Sequence, residues 1–256
     1  MMSSEAKNVD VSNLLFYSNS SHLRDATTLL RARQFRPMSL FRNAQFEISI
    51  AKPSGLPPPR GPEIAFAGRS NAGKSSALNA LTDQKNLART SKTPGRTQLI
   101  NFFRLQNGAV LVDLPGYGYA EVPEAIRRQW QHLLEDYLTR RPNLIGLVLI
   151  MDSRHPLKDR DRTMIGWFAP SGRPIHVLLT KSDKLTRSEA AKVLSITQLQ
   201  AAGGQVMLFS ALKKQGVDEA AQLLWQWAHP AVATQPEAPA TDAASEAAEA
   251  EPPALD

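Results

Sequence analysis

Apolar and polar positions fall into a regular pattern from Phe46 to Ala228. The runs "FEISIA" (46–51), "EIAFA" (63–67), "QLINFFRL" (98–105), "AVLVD" (109–113), "LIGLVLIMD" (144–152), "PIHVLLT" (174–180) and "QVMLFS" (205–210) read as strands. Between them lie stretches with helical spacing: about 74–81, then 124–140, 158–169, 187–202 and 217–228. In the second of these, Ile126, Trp130, Leu133, Leu134 and Tyr137 share one face. The Pro/Gly loop "KPSGLPPPRGP" cannot continue the first strand. Strands alternating with helices predict an α/β domain with a mostly parallel sheet. The short turn "QNG" (106–108) predicts one hairpin, hence one antiparallel edge strand. In such sheets ligands bind beyond the carboxyl ends of the strands, so chemistry is sought there.

The flanks break the pattern. Residues 1–44 read as a basic N-terminal extension, partly disordered, carrying Arg24, Arg31, Arg33, Arg36 and Arg42. Residues 230–256 are rich in Ala, Glu and Pro and are expected to be a disordered acidic tail. The regular α/β pattern therefore occupies residues 45–229. Net charge is +6, but residues 231–256 hold six acids and no Lys or Arg. That leaves 30 basic against 18 acidic residues, net +12, in residues 1–230. A body this basic favours a polyanionic partner such as RNA. There are no cysteines, which excludes disulfides and thiolate metal sites and is compatible with a cytoplasmic protein. No apolar run is long enough to span a membrane, and no metal-ligand spacing links the five histidines.

Four motifs follow strands. "GRSNAGKSS" fits the phosphate-loop pattern G-x-x-x-x-G-K-[ST]. Gly68, Arg69, Ser70, Asn71, Ala72, Gly73, Lys74, Ser75 and Ser76 are expected to wrap the phosphates, with backbone N–H groups at a helix N-terminus. Lys74 would reach the β- and γ-phosphates, and the Ser75 hydroxyl would hold Mg²⁺. "DLPG" supplies Asp113 for Mg²⁺, then Leu114, Pro115 and Gly116, whose bare N–H is suited to sense the γ-phosphate. "TKSD" supplies Thr180, Lys181, Ser182 and Asp183; a carboxylate there accepts from the N1–H and N2 amine of guanine, a donor pair that adenine lacks. "FSAL" adds Phe209, Ser210 and Ala211, the last with an N–H for the guanine O6. Together these favour GTP and GDP as ligands.

This ordered set, with "TPGRTQ", "PEIAFAGRSN", "LINFF" and "MDSRHPLKDRD", resembles the EngB family of bacterial GTP-binding proteins, in the translation-factor type of P-loop GTPase, over roughly residues 46–228. The resemblance implies a P-loop NTPase three-layer α/β/α sandwich. It also implies Mg²⁺-dependent GTP binding, a role in assembly of the large ribosomal subunit, and a need for the protein in normal cell division and septation. By the same resemblance Thr97 is the switch threonine that ligates Mg²⁺, flanked by Gly95, Arg96, Gln98 and Leu99 in the nucleotide site. Residues 86–97 would be a switch loop ordered by the γ-phosphate. Two positions depart from the general pattern. Thr180 stands where Asn is commoner, so an amide tie to the phosphate loop is expected to be lost. Leu212 stands where Lys is often found, so one face of the base would pack differently.

Tyr117 follows Gly116, where many GTPases carry a Gln that orients the attacking water. A phenol lacks the paired donor and acceptor of an amide, so slow intrinsic turnover is expected. The tyrosines of "YGYA" are expected to shape a switch surface for a partner. Asn71 has two readings: a K⁺ ligand that brings positive charge near the β–γ bridge, or a residue suited to a tight loop. Basic clusters, namely the N-terminal arginines, Arg127, Arg128 and "SRHPLKDRDR", support an RNA partner. The resemblance implies that this is the large-subunit precursor, through its rRNA or proteins, and a monomeric chain with no DNA partner is expected. Two other classes share parts of the pattern. A small-molecule kinase would not need "TKSD" or "FSAL", and a GTP-binding scaffold would not hydrolyse.

Overall fold

The computed structural model describes residues 41–88, 99–117, 124–201 and 203–229, without the side chains of 124–127, 129 and 130. The expectations for residues 1–40, for 89–97 of the switch loop, for Gln98, Tyr119 and the side chain of Arg127, and for the acidic tail lie outside these residues. The elements in chain order are β1 (Gln45–Ile50), β2 (Glu63–Gly68), α1 (Lys74–Thr82), β3 (Ile100–Arg104), β4 (Val110–Asp113), α2 (Glu124–Arg140), β5 (Leu144–Asp152), α3 (Asp159–Phe168), β6 (Ile175–Thr180), α4 (Arg187–Gln200), β7 (Gln205–Leu208) and α5 (Val217–Ala228). Among the described residues no helix is long and apolar enough to cross a membrane.

The strands form one sheet in the order β1-β3-β4-β2-β5-β6-β7. From β4 to β7 every pairing is parallel. β3 runs antiparallel to both β4 and β1, which makes the antiparallel edge that the "QNG" turn predicted. Asn107 closes that turn by accepting the Ala109 N–H at 3.1 Å.

Each central strand is buried on both sides, which explains its unbroken apolar run. On β2, Ile64 and Phe66 join the core under α1 and α5, with Leu78, Leu81 and Leu224. Ala65 and Ala67 point the other way, into the core under α2 and α3, with Leu134, Leu138, Ile165 and Phe168. Phe41 and Ala44, which the sequence reading assigned to the N-terminal extension, are buried in the first of these cores. Gln84 holds this segment by donating to the carbonyls of Arg42 (3.0 Å) and Ala44 (2.8 Å). The packed body thus begins by Phe41.

Besides carboxylates, the sheet buries a histidine. His176 of β6 is fully enclosed, and neither ring nitrogen has a hydrogen-bond partner. Its ring meets Trp227 of α5 edge-to-face at 6.5 Å. Gly146 of the neighbouring β5 makes room for that indole, since a Cβ there would lie 2.6 Å from the Trp227 ring. Burial pulls the His176 pKa down to about 4 from its ordinary 6.5. The folded state therefore keeps the ring neutral while the unfolded chain takes up a proton below pH 6.5. This contribution to stability is complete above that pH and is lost as pH falls towards 4, by about 3 kcal/mol in total. Urea unfolding between pH 7 and 4.5 should reveal it. His176→Phe, which keeps a flat ring without the orphaned nitrogens, is expected to flatten that part of the profile; identical slopes in the two proteins would remove His176 as the cause.

Candidate nucleotide site

β2 ends at Gly68, and α1 starts at Lys74, so the phosphate-loop residues form the turn between them. The turn uses left-handed backbone at Asn71 (φ 64°) and at Gly73 (φ 100°). Gly73 also packs closely: a Cβ there would sit 3.3 Å from Thr180 Oγ1. The φ at Asn71 accounts for an asparagine at that position by conformation alone, because Asn tolerates this region. Its carbonyl already accepts the Lys181 ammonium at 2.7 Å.

β4 lies parallel to β2 with Asp113 opposite Phe66, which delivers "DLPG" to the edge of the phosphate loop. Leu114 N–H donates to the Phe66 carbonyl at 3.0 Å, and Pro115 leads the chain past the loop. Gly116 lies against Ser70: a Cβ on it would be 3.4 Å from Ser70 Oγ. Lys74 and Asp113 form a nearly buried ion pair. The other carboxylate oxygen of Asp113 accepts Asn101 Nδ2 at 3.4 Å, and Asn101 in turn accepts Ser49 Oγ at 2.6 Å. Ser75 and Ser76 occupy the first turn of α1. Of the expected switch residues, Leu99 lies just before β3, and Gly95, Arg96, Thr97 and Gln98 lie outside the described residues. The start of the switch loop is pinned: Asn79 of α1 donates to the carbonyls of Lys85 and Ala88 and accepts the Ala88 N–H.

The base-reading motifs converge from two adjacent strands. β6 carries "TKSD" beyond its end, and β7 carries "FSAL". The expected strand to Ser210 stops at Leu208, because Phe209 and Ser210 turn to meet the neighbouring motif. Ser182 N–H donates to the Phe209 carbonyl at 3.2 Å, and Ser210 exchanges backbone bonds with Gln215. The buried Ser210 hydroxyl donates to Asp183 Oδ1 at 2.5 Å. That bond holds the Asp183 carboxyl below its ordinary pKa. Ala211 follows directly, and Leu212 is exposed.

Thr180 adds to an expectation. The amide tie is absent, but the phosphate loop is still held. Thr180 Oγ1 contacts the Ala72 carbonyl at hydrogen-bonding range and the Met151 carbonyl at 3.0 Å. One hydroxyl proton serves this pair where an amide would bring two. The shorter side chain succeeds because Gly73 lets the loop approach it.

Lys181 crosses from the base motif to the phosphate loop. Its ammonium donates to Asn71 O and to Asp152 Oδ2, at 2.7 and 2.9 Å. Asp152 also takes Arg154 at 2.9 and 2.7 Å. Burial alone would raise the Asp152 carboxyl, but the bonds from Arg154 and Lys181 outweigh it and hold the group well below the usual carboxylate range. None of the four nucleotide motifs marks Asp152. Its signal was position, an acid at a strand end in line with Asp113.

Tyr117 also differs from expectation. Its phenol does not form an outward surface; it donates to Asp161 Oδ1 at 2.7 Å, and the ring packs on the core. Burial, and then the adjacent Asp161 carboxylate, push the phenol pKa well above its ordinary value. Part of "SRHPLKDRDR" is thereby accounted for internally, since Asp161 is fully buried and Arg154 is tied to Asp152.

Comparison with known proteins agrees with this geometry. A family profile described as "50S ribosome-binding GTPase" matches residues 63–181. The chain is 68% identical over 208 residues to the probable GTP-binding protein EngB of Azoarcus sp. (strain BH72), covering 79% of this chain and 99% of that one. It is 55% identical over 208 residues to the probable GTP-binding protein EngB of Neisseria meningitidis serogroup B, covering 78% of this chain and 99% of that one. Among solved structures, a probable GTP-binding protein engB shares the fold with a TM-score of 0.54 at 20% identity, covering 65% of this chain and 98% of that one. With phosphate loop, "DLPG", "TKSD" and "FSAL" gathered at one end of the sheet, and with relatives this similar over their whole length, the chain belongs to the EngB family of GTP-binding proteins and is a P-loop GTPase.

Proposed function

We propose that this GTPase is a Mg²⁺-dependent switch with slow intrinsic turnover, acting in assembly of the large ribosomal subunit and, through it, in normal cell division and septation. The observation that carries the slow turnover is the fate of Tyr117. The position after Gly116 holds a phenol committed to Asp161, so it has no amide free to orient a water. Hydrolysis then needs groups from elsewhere. The net +12 of residues 1–230 and the ribosome-binding description of the matching profile support a ribosomal precursor as that source. Its rRNA or proteins would be the partner of a monomeric cytoplasmic chain, with no part for DNA.

The residues present suit Mg²⁺. Ser75 and Asp113 offer a hydroxyl and a carboxylate, the oxygen donors this ion takes. Thr97 would add a second hydroxyl. Among the described residues no three His, Asp or Glu side chains gather to hold an ion alone, so phosphate oxygens would complete the shell. When bound, Mg²⁺ neutralises phosphate charge. The chain's own part is to hold the phosphates with Lys74 and the loop N–H groups, and to read the γ-phosphate at Gly116.

The test is single-turnover GTP hydrolysis by purified protein, with and without large-subunit precursors, in KCl and in NaCl. Precursors are expected to raise the rate at least tenfold. No rise at any salt concentration would count against the ribosomal role. Equal rates in KCl and NaCl would leave Asn71 as a conformational residue only; a K⁺-specific rise would assign it the cation.

A further inference from the structure

Beyond Asp152 and Arg154, the motif "MDSRHPLKDRD" is not absorbed by phosphate or base recognition, yet its last residue reaches the site. Asp161 lies in the first turn of α3 and its side chain is wholly buried. One of its oxygens accepts the Tyr117 hydroxyl at 2.7 Å. The other accepts the Lys158 N–H at 3.0 Å, which caps α3, and lies 3.7 Å from Arg69 Nε of the phosphate loop. A single carboxylate therefore meets the phosphate loop, the residue after Gly116 and a helix N-terminus.

The backbone of Tyr117 is held as well. Its carbonyl accepts the Ser70 N–H at 2.9 Å, and its N–H donates to the Gly68 carbonyl at 3.3 Å. Gly116, the residue before it, rests against Ser70. The helix behind Asp161 cannot yield easily, because Met164, Ile165 and Phe168 bury it on the sheet. Fixing Tyr117 at phenol and backbone fixes the Gly116 N–H beside the phosphate loop before any ligand arrives.

We propose that Asp161 is a positioning residue for γ-phosphate recognition: it anchors Tyr117, and thereby preorganises Gly116, so that it sets the preference for GTP over GDP. This rests on the GTP-switch reading above. Preorganisation stabilises the complex by lowering the ordering cost of binding. GDP has no group at the Gly116 N–H, so its affinity should not depend on the anchor.

The probes are GDP and a non-hydrolysable β,γ-imido analogue of GTP, titrated in Mg²⁺ against the full chain. Tyr117→Phe keeps the ring and removes only the hydroxyl. It is expected to weaken the analogue about tenfold while GDP stays within about twofold, as suits loss of a bond to a charged acceptor. Asp161→Asn should have a smaller effect, about threefold. Its single amide oxygen goes to the helix N–H, leaving the NH₂ to make a neutral bond with the Tyr117 oxygen. The double variant should lose no more than Tyr117→Phe alone, since both changes act on one contact. Thermal unfolding of each variant tracks folding separately. Equal weakening of GDP and analogue would reduce Asp161 to a structural residue and overturn the proposal. So would additive losses, or tighter analogue binding. Failure of the wild-type chain to bind either nucleotide would instead overturn the GTP-switch reading itself.

Discussion

Asp183→Asn is expected to lower affinity for GDP and GTP by about 10²–10⁴-fold. The carboxylate would accept both the N1–H and the N2 amine of guanine, each a bond to a charged acceptor of about 1.5–3 kcal/mol. An amide offers one oxygen and presents its NH₂ to the other donor, a mismatch rather than a mere loss. Xanthine carries a carbonyl where guanine carries the amine, so the same substitution should improve binding of xanthosine nucleotides. The structure adds a second route. Ser210 donates to Asp183 Oδ1 and keeps that carboxylate oriented. Ser210→Ala should therefore weaken guanine nucleotides several-fold without opening the site to xanthine. Calorimetric titration of GDP and xanthosine diphosphate against the three proteins checks all of this. Unchanged GDP affinity in Asp183→Asn would remove Asp183 from base recognition.

These motifs were legible because each is local. "GRSNAGKSS", "DLPG", "TKSD" and "FSAL" are contiguous, and the strand before each fixes which end of the sheet it reaches. The layer architecture was legible for a related reason: two-sided burial leaves unbroken apolar runs such as "LIGLVLIMD", while one-sided helices leave a stripe. What stayed hidden depends on pairs far apart in the chain. Tyr117 and Asp161 are 44 residues apart. A Tyr after a flexible Gly reads as exposed until the acceptor is in view. Asp161 itself sits among five charges and reads as part of a solvated helix face. At Thr180 the lost amide was legible, but how closely Gly73 approaches the hydroxyl cannot be seen in one dimension.

The same contrast sets the last prediction. Glu63→Ala is expected to destabilise the domain by about 3–5 kcal/mol, which no motif suggested. Glu63 opens β2 and is buried. Arg141, also buried and 78 residues away, donates to it with two nitrogens at 2.9 and 2.6 Å, and the Tyr137 hydroxyl donates at 2.8 Å. Burial, and then the Glu63 carboxylate, push the Tyr137 phenol well above its ordinary pKa, so it remains a donor. Arg141 also binds the Pro57 carbonyl at 2.9 Å, tying in the Pro-rich loop. Truncating Glu63 leaves a buried guanidinium without its counter-charge, whereas replacing both partners removes the charge altogether. Glu63→Met with Arg141→Met should therefore recover much of the loss. Nucleotide binding by the folded fraction should survive either change, because Glu63 and Gly68 lie at opposite ends of β2 and the site is built only from the second end. Denaturant unfolding with GDP titration on the same samples separates the two effects. A double variant no more stable than Glu63→Ala would mean the cluster orders β2 by more than charge balance. Nucleotide affinity falling in step with stability would mean the two ends of β2 are not independent.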